Sequence, residues 1–198
     1  MTVKRAMDER DIDPTYGGKI PQEKYNYILE NIPVSCVDIV FVNLYENTVL
    51  LVKRNEEPKK DCYWFPGGRV MKGERRENAA FRILKEECGI NSKEYHGFLH
   101  ELHTMDTIFD APEDLKFGKI VVHTINSVFL FLPTKEMLST FDAIEADTFE
   151  INTDKTISGH HWYPLYDMPM GKLLMPLDPY ITESIDKVRQ FLNTSKIF

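Results

Sequence analysis

The chain has 198 residues, of which 42% are hydrophobic and 28% charged, and its formal net charge is -7. This is the composition of a globular protein long enough to bury one substantial core. The acidic balance argues against a protein that binds long stretches of nucleic acid, because neutralising a phosphate backbone requires clustered Lys and Arg. A small phosphorylated substrate needs only a few cations in one pocket, so that class of ligand stays open.

The cysteines, the apolar runs and the N-terminal segment indicate the cellular compartment of the protein. Cys36, Cys62 and Cys88 form no CxxC pair, which favours free thiols in a reducing compartment. No apolar run approaches the ~20 residues that span a bilayer. The charged segment from Met1 to Asp13 lacks the apolar stretch of a secretory signal. We therefore expect a cytoplasmic protein that does not associate with membranes.

The chain is expected to form one domain preceded by an arm. Residues 1–19 carry mixed charge, few apolar side chains and a Gly17-Gly18 break, which is typical of a mobile or peripheral segment. Residues 20–198 contain no internal repeat and no low-complexity tract. We therefore predict a single domain over residues 20–198.

The first half of the domain is predicted to contain a helix, a β-hairpin and a second helix. Pro21 begins a short helical stretch. The β-branched runs Cys36–Val42 and Val49–Lys53 predict two strands joined by a turn. Trp64–Val70 reads as a short strand broken by glycines, and a helix should run from about Glu77 to Cys88. The apolar positions of that helix recur at helical spacing and are Ala80, Phe81, Leu84 and Cys88.

Three more strands and a terminal helix complete the prediction. Tyr95–Leu102 and Ile120–Leu132 are strand-like, with His123 expected to point into the core, and the polar stretch Met105–Lys119 between them predicts a loop. The remaining expectations are a short helix at Lys135–Leu138, an irregular segment at Thr140–Ser158, a strand at His161–Pro164 and an amphipathic helix at Thr182–Leu192 with Ile185, Val188, Phe191 and Leu192 inward. These elements predict an α/β (α+β) fold with a mixed β-sheet between helices.

The segment from Gly67 to Ile90 carries the chemistry. Glu86 and Glu87 are neighbours on a helix, about 100° apart, so both can flank one edge. Arg82 precedes Glu86 by one turn and can hold its carboxylate by a charge-assisted pair. Glu74 stands in the loop before the helix, from which its carboxylate can return towards the helical acids.

Clustered carboxylates repel one another, and a divalent cation relieves that repulsion. Mg²⁺ takes one or two protein carboxylates and fills its other positions with water and phosphate oxygens. It can then neutralise charge on a diphosphate leaving group. An isolated Glu-Glu pair is more often a solvated helix face, but the fixed spacing of glycines, Arg82 and three acids favours a metal site.

This segment resembles the Nudix box, a pattern of Gly, five residues, Glu, seven residues and Arg-Glu-apolar-any-Glu-Glu-any-Gly-apolar. The matching positions are Gly68, Glu74, Arg82, Leu84, Glu86, Glu87, Gly89 and Ile90. One position departs, because the Glu that follows the Arg in the family is Ile83 here. Ile83 lies one turn before Glu87, so the acidic cluster of the family lacks one corner. The resemblance implies a Nudix-type fold and a magnesium-dependent hydrolase of nucleoside diphosphate derivatives.

The departure at Ile83 is similar to one branch of that family, the GDP-mannose mannosyl hydrolases, which also carry an apolar residue there. The similarity covers roughly Ile20 to Trp162 and includes Ile32-Pro33, Asp38, Lys53-Arg54 and the run from Tyr63 to Val70. Enzymes of the branch cleave at the sugar carbon, release GDP and free sugar, and need a single Mg²⁺ on the diphosphate. The resemblance also implies a homodimer.

Roles for single residues follow from the resemblance. The implied metal site consists of the Gly68 carbonyl and the carboxylates of Glu74, Glu86 and Glu87, and it would hold Mg²⁺ or Mn²⁺. The implied catalytic residues are Arg69, Glu86 and Glu87, and the implied substrate-binding residues are Asp38, Arg54 and Arg69, of which the two arginines would neutralise the departing diphosphate.

The general base of the branch has no direct counterpart. It is a His that follows a Gln in the loop before the last strand, and aligning Trp162 places Ile157 at that position. His160 takes the role if the loop differs in length, since a neutral imidazole accepts a proton near its ordinary pKa of about 6.5. Otherwise His160 is a strand-edge residue. Further histidine candidates are His100, His103 and His123.

Three functions are therefore open from the sequence. The first is hydrolysis of a GDP-mannose-like nucleotide sugar at carbon, which Ile83 favours. The second is attack of water at phosphorus in a nucleoside diphosphate derivative or nucleoside triphosphate, which the retained acids Glu74, Glu86 and Glu87 favour. The third is a non-catalytic nucleotide-binding module, which the incomplete acidic cluster favours. All three predict a small nucleotide ligand and no nucleic-acid polymer.

Overall fold

Within the part of the chain that the structure describes, seven strands form one mixed β-sheet, and helices pack on both of its faces, as the sequence predicts. The computed structural model describes residues 20–54, 62–90, 98–109, 122–139, 141, 157–167 and 179–195. The arm expected at residues 1–19 lies outside these ranges. The helices are α1 (Gln22–Asn31), α2 (Arg76–Cys88), a short α3 at residues 135–139 and α4 (Pro179–Thr194). The strands are β1 (Val34–Asn43), β2 (Thr48–Arg54), β3 (Tyr63–Trp64), β4 (Gly67–Arg69), β5 (Leu99–Phe109), β6 (Val122–Phe131) and β7 (Ile157–Pro164).

The sheet places β1 at its centre. The strand order is β3-β2-β1-β6-β5, with β4 also paired to β1 and β7 also paired to β2. β1 and β6 run parallel, whereas the other pairs are antiparallel. The predicted hairpin of β1 and β2 is confirmed, and Asn47 in its turn has a φ of 53°, which Asn tolerates. Because β4 pairs with Cys36–Asp38, the glycine loop lies against the first half of the central strand.

The central strand is buried on both faces, which explains its almost continuous apolar sequence. Successive side chains of a strand point to opposite faces. Val37, Ile39 and Phe41 therefore pack under α2, while Val40 and Val42 pack under α4. Asp38 is the exception, a carboxylate on the α4 face that is only 5% exposed.

The predicted helix over the Nudix-like segment is confirmed as α2. All four apolar positions named from its spacing are buried, together with Ala79 and Ile83. Gly89 ends the helix with a φ of 66°, and the N–H of Ile90 donates to the carbonyl of Leu84. This left-handed ending is the one that glycine adopts at low cost. It brings the end of α2 close to the sheet, where Glu86 and Glu87 lie.

Two strands extend well beyond their predicted bounds. The loop expected at Met105–Lys119 is wrong in its first five residues, because β5 continues to Phe109 and pairs with the first residues of β6. Buried Thr107 and Phe109 alternate with exposed Asp106 and Ile108, so the strand period persists although the sequence is polar. β7 likewise begins at Ile157 and not at His161, because its earlier residues pair with the end of β2.

His123 does not point into the core, contrary to the expectation. Its side chain is 35% exposed, and its Nε2 lies 2.9 Å from Oδ1 of Asp106 on the neighbouring strand. The hydrogen-bonding need of the imidazole is therefore met by a carboxylate on the adjacent strand, outside the apolar core.

The terminal helix α4 covers the second face of the sheet through the residues that its periodicity predicts. Ile185, Val188 and Leu192 are at most 2% exposed. The guanidinium of Arg189 donates to the carbonyl of Leu165 from Nε at 3.1 Å and from the neighbouring nitrogen at 2.6 Å, which ties the helix to the end of β7. No helix among the described residues is long and apolar enough to cross a membrane.

We predict that Ile185→Ala destabilises the protein by about 2–5 kcal/mol, because a buried aliphatic side chain is lost and a cavity remains. The measurement is urea unfolding followed by circular dichroism. Lys187→Ala, on the exposed face of the same helix, serves as the control and should change stability by less than about 0.5 kcal/mol. Equal losses in both variants would contradict the assigned packing face.

Candidate active site

Arg82 organises the acidic residues of α2 and the preceding loop. Its Nε donates to Oε1 of Glu74 at 2.9 Å, and another guanidinium nitrogen donates to Oε2 of Glu74 at 3.0 Å. A third contact reaches Oε2 of Glu86 at 3.0 Å, as its spacing predicts, and a fourth reaches the carbonyl of Arg69 at 2.9 Å. One guanidinium therefore fixes the loop to the helix through three hydrogen bonds and holds Glu86 of the same helix through a fourth.

Glu74 has both carboxylate oxygens engaged in the structure. Besides Arg82, its Oε2 accepts a hydrogen bond from the N–H of Met71 at 2.9 Å. These contacts close the turn that contains Gly73, whose φ is 81°. The predicted role of Glu74 as a metal ligand stays a prediction, and the contacts seen here make it a residue that shapes the loop.

Glu87 lies at the other side of the glycine loop. Its Oε2 accepts a hydrogen bond from the N–H of Gly67 at 3.1 Å. The pKa of its carboxyl is raised to about 8, chiefly by burial and also by the negative charges of Asp38 and Glu86, while the Gly67 hydrogen bond and the charge of Arg54 oppose the rise. Such a carboxylate favours a bound cation, which would remove the same electrostatic penalty.

These residues fit a site that supplies few protein ligands. Among the described residues, no group of three or more His, Cys, Asp or Glu side chains is close enough together to hold a metal ion by itself. Mg²⁺ needs only one or two carboxylates when water and phosphate oxygens complete its shell. Glu87, the neighbouring and half-exposed Glu86 and the Gly68 carbonyl are the groups that could hold such an ion.

The two glycines of β4 face opposite sides of the sheet. A Cβ on Gly67 would lie 1.9 Å from Oδ1 of Asp38, so only glycine allows the loop to approach this carboxylate. A Cβ on Gly68 would meet Ile83 at 3.7 Å, an ordinary contact. Ile83 is 1% exposed and belongs to the core beneath Gly68. The residue that departs from the family pattern therefore packs under the loop, where the family carries a carboxylate.

Two arginines bring positive charge to the region of the loop. Arg69 pairs with Cys36 across β4 and β1, and its guanidinium lies 5.7 Å from the centre of the Tyr25 ring of α1. Arg54 has a buried Nε that makes no hydrogen bond to the described residues. Its charge lowers the pKa of both Asp38 and Glu87, opposing the larger effect of burial. The predicted cations and carboxylates thus lie in one region.

His160 lies beside the end of α2. Its Nε2 is 2.9 Å from the carbonyl oxygen of Glu87, and since a carbonyl only accepts, this nitrogen carries the proton. Such a contact orients the helix end and leaves Nδ1 as the ring nitrogen able to accept a proton. The catalytic role of His160 stays a prediction. His103 instead lies near the hydroxyl of Ser184 at 3.2 Å, on the side of the sheet that α4 covers.

Several residues of this region were not predicted from the sequence. Tyr180 of α4 donates a hydrogen bond to Asp38, although 142 positions separate them. Tyr25 reaches Arg69 from α1. Neither tyrosine stands in a motif, so a single sequence offers no signal for these contacts.

The similarity to known proteins agrees with this arrangement. A sequence profile of the NUDIX domain matches residues 34–184, which is most of the chain. The chain belongs to the Nudix family. An ADP-ribose pyrophosphatase of Methanocaldococcus jannaschii is 30% identical over 140 residues, which cover 70% of this chain and 73% of that protein. These findings support a hydrolase over a non-catalytic binding module.

Other relatives share parts of this Nudix chain or its fold. The low-salt glycan biosynthesis protein Agl8 of Haloferax volcanii is 36% identical over 73 residues, which cover 37% of this chain and 46% of that protein. The crystal structure of a MutT NUDIX hydrolase from Burkholderia pseudomallei aligns with a TM-score of 0.53 and 23% identity, over 79% of this chain and 98% of that one. The NUDIX domain of Shewanella oneidensis NrtR, solved with ADP ribose, aligns with a TM-score of 0.52 and 18% identity, over 94% of this chain and 99% of that one. At these identities the two structures show the shared fold alone.

We predict that the metal-free Nudix protein loses stability as pH rises from about 4.5 to about 8. The pKa of Glu87 is about 8 in the fold against an ordinary value of 4.5. In that window the folded state binds the proton more tightly than the unfolded chain, so deprotonation favours unfolding, by up to roughly 1.4 kcal/mol per unit of pKa difference. Glu87→Gln should flatten this loss, which urea unfolding in EDTA measures.

The control for that prediction is Glu77→Gln, which neutralises an exposed carboxylate on the same helix. It should leave the pH dependence as in the unmodified protein. Asp38, whose pKa burial raises to about 6, contributes a loss of the same sign in both variants, ending at lower pH. An unchanged slope above about pH 6 in Glu87→Gln would contradict the assignment.

We also predict that Arg82→Lys destabilises the protein by about 1–3 kcal/mol and lowers its hydrolase activity. A lysine ammonium cannot reproduce the fork that binds Glu74, Glu86 and the Arg69 carbonyl together. Urea unfolding and turnover measure the two effects. Arg75→Lys, at the exposed residue before α2, is the matched substitution and should cost much less in both measurements.

Proposed function

We propose that this Nudix hydrolase acts on a nucleoside diphosphate sugar of the GDP-mannose type, with one divalent cation, Mg²⁺ or Mn²⁺, and releases the nucleoside diphosphate and free sugar. One observation carries the proposal: Glu87 is a partly buried carboxylate beside the glycine loop, and the position one turn before it is the core residue Ile83. The described part of the helix therefore has no carboxylate one turn before Glu87. One cation suffices when the diphosphate departs from carbon.

The protein residues would divide the work as follows. Glu87 and the Gly68 carbonyl would hold the cation, with Glu86 next to them, and the cation would neutralise charge on the diphosphate. Arg54 and Arg69 would bind the same diphosphate. The buried Arg54 Nε without a hydrogen-bond partner among the described residues supports this role, because an anion would satisfy it.

Attack at phosphorus is the second candidate, and two observations favour it. The relative that matches 70% of this chain is named an ADP-ribose pyrophosphatase. The Nε2 of His160 is engaged with the Glu87 carbonyl, so the base expected for attack at carbon is not free at that nitrogen. In either case the substrate is a small nucleoside diphosphate derivative. The homodimer and the cytoplasmic location remain predictions from the sequence.

The decisive experiment is hydrolysis of a panel of nucleotide sugars, ADP-ribose included, in ¹⁸O-labelled water with Mg²⁺. We expect label in the free sugar and an unlabelled nucleoside diphosphate. Label in a phosphate group, with a nucleoside monophosphate and a sugar phosphate as products, would establish the second candidate and overturn the first. Mass spectrometry of the products distinguishes the two.

Variants then test whether the site itself is responsible. We predict that Glu87→Gln lowers turnover by about a hundredfold or more, because the cation loses its buried ligand. Lys85→Gln changes an exposed residue of the same helix and should retain full turnover. If no compound of the panel is hydrolysed by the unmodified protein, or if Glu87→Gln is as active as it, the proposed function fails.

A further inference from the structure

A buried chain of hydrogen bonds links the terminal helix to the glycine loop. Tyr180, in the first turn of α4, donates its hydroxyl proton to Oδ2 of Asp38, and the two side chains are 2% and 5% exposed. The Tyr180 hydroxyl in turn accepts a hydrogen bond from the Asn126 side chain. The Nδ2 of Asn126 also donates to the hydroxyl of Thr107 at 2.9 Å. The orientation of the Tyr180 hydroxyl is therefore fixed by its acceptor and by its donor.

The ring of Tyr180 is held as firmly as its hydroxyl. It stacks on the indole of Trp64 with ring centres 5.1 Å apart and planes at 8°. The side chain of Trp64 also hydrogen bonds to the carboxylate of Asp38, and an indole N–H can only donate. Two aromatic side chains that pack against each other thus direct two donors at one carboxylate.

The position of the Asp38 carboxylate in turn restricts the glycine loop. Its Oδ1 occupies the space where a side chain at Gly67 would begin, since a Cβ there would be 1.9 Å away. Asp38 and Gly67 are also register partners between β1 and β4. The N–H of Gly67 donates to Glu87. A rotation of the Asp38 carboxyl would therefore press on the residue that orients Glu87.

We propose that Tyr180 is a positioning residue of the Nudix site, which fixes the Asp38 carboxylate and through it Gly67 and Glu87. Tyr180 lies outside the Nudix box, on the helix that packs against the opposite face of the sheet from α2. The kinetic consequence of this role rests on the proposed function. Its structural consequence, the order of the Gly67 N–H, does not depend on any substrate.

A simpler role would be that Tyr180 only anchors α4. Ser184 separates the two possibilities, because it lies one turn further along the same helix and is 0% exposed. Its hydroxyl lies within hydrogen-bond distance of His103 on β5, which is separated from Asp38 on β1 by the intervening strand β6. Ser184→Ala thus removes a buried hydroxyl from α4 without touching Asp38. Tyr180→Phe keeps the ring and its stacking on Trp64, and it removes only the hydroxyl.

The first test measures amide hydrogen exchange at Gly67 by NMR in the free protein. We expect exchange to accelerate about tenfold in Tyr180→Phe and to stay unchanged in Ser184→Ala, at equal global stability corrected by urea unfolding. In an Asp38→Ala background, the Tyr180→Phe change should add no further acceleration, because the intermediate group is gone. Unchanged exchange in Tyr180→Phe, or the same acceleration in Ser184→Ala, would overturn the inference.

The second test is turnover of a substrate found in the nucleotide-sugar panel. We expect Tyr180→Phe to lower kcat about tenfold with KM changed less than about twofold, because misplacement of a catalytic carboxylate affects the reacting geometry more than substrate binding. Ser184→Ala should retain kcat. A loss confined to KM, or an equal kcat loss in both variants, would contradict a positioning role. If the unmodified protein hydrolyses nothing, the proposed function fails, while the exchange measurement still decides on Tyr180.

Discussion

Gly67 lies between two carboxylates, and most of the site depends on that placement. Asp38 packs against its α-carbon from the central strand, and Glu87 accepts its N–H from the end of α2. The strand pairing of β1 and β4 provides the first contact, and the αL ending of α2 brings the second carboxylate within reach. A residue with a side chain could not stand there, so the sheet and the helix meet at a position that has none.

The electrostatics of this arrangement favour a bound cation. Burial dominates for both acids, raising the pKa of Asp38 to about 6 and that of Glu87 to about 8. Hydrogen bonds from Tyr180 and Trp64 and the charge of Arg54 only partly offset the effect on Asp38. The fold by itself thus disfavours the charged forms of both carboxyls. A cation and a diphosphate, bound together, would satisfy the carboxylates and the arginines at the same time.

The parts of the site that the sequence predicts correctly are those fixed by regular geometry. Arg82 and Glu86 are one helical turn apart, so their contact follows from the helix alone. The conformation of the loop before the helix follows no such period, and Glu74 binds Arg82 although its spacing suggested a place near the metal. The sequence predicts too early an end for β5, because the exposed positions near its end are largely polar and the alternation resembles a loop.

Contacts between distant segments are beyond what one sequence can reveal. Tyr180 and Asp38 meet because β1 crosses under the start of α4, and only the packing of the whole sheet brings them together. The same holds for Tyr25 and Arg69, which meet where α1 passes over β4. Apolar periodicity predicted the inward face of α4, but it could not identify which polar group at its first turn would find a buried carboxylate.

The packing of Ile83 limits which substitutions this position can accept. Its side chain fills the core directly beneath Gly68, so the Glu of the Nudix box pattern at this position would put a carboxylate into an apolar space. An unpaired buried charge costs several kcal/mol, which is a large part of the stability of a domain of this size. A fully acidic helix would therefore require compensating changes in the neighbouring core as well as the substitution of Ile83.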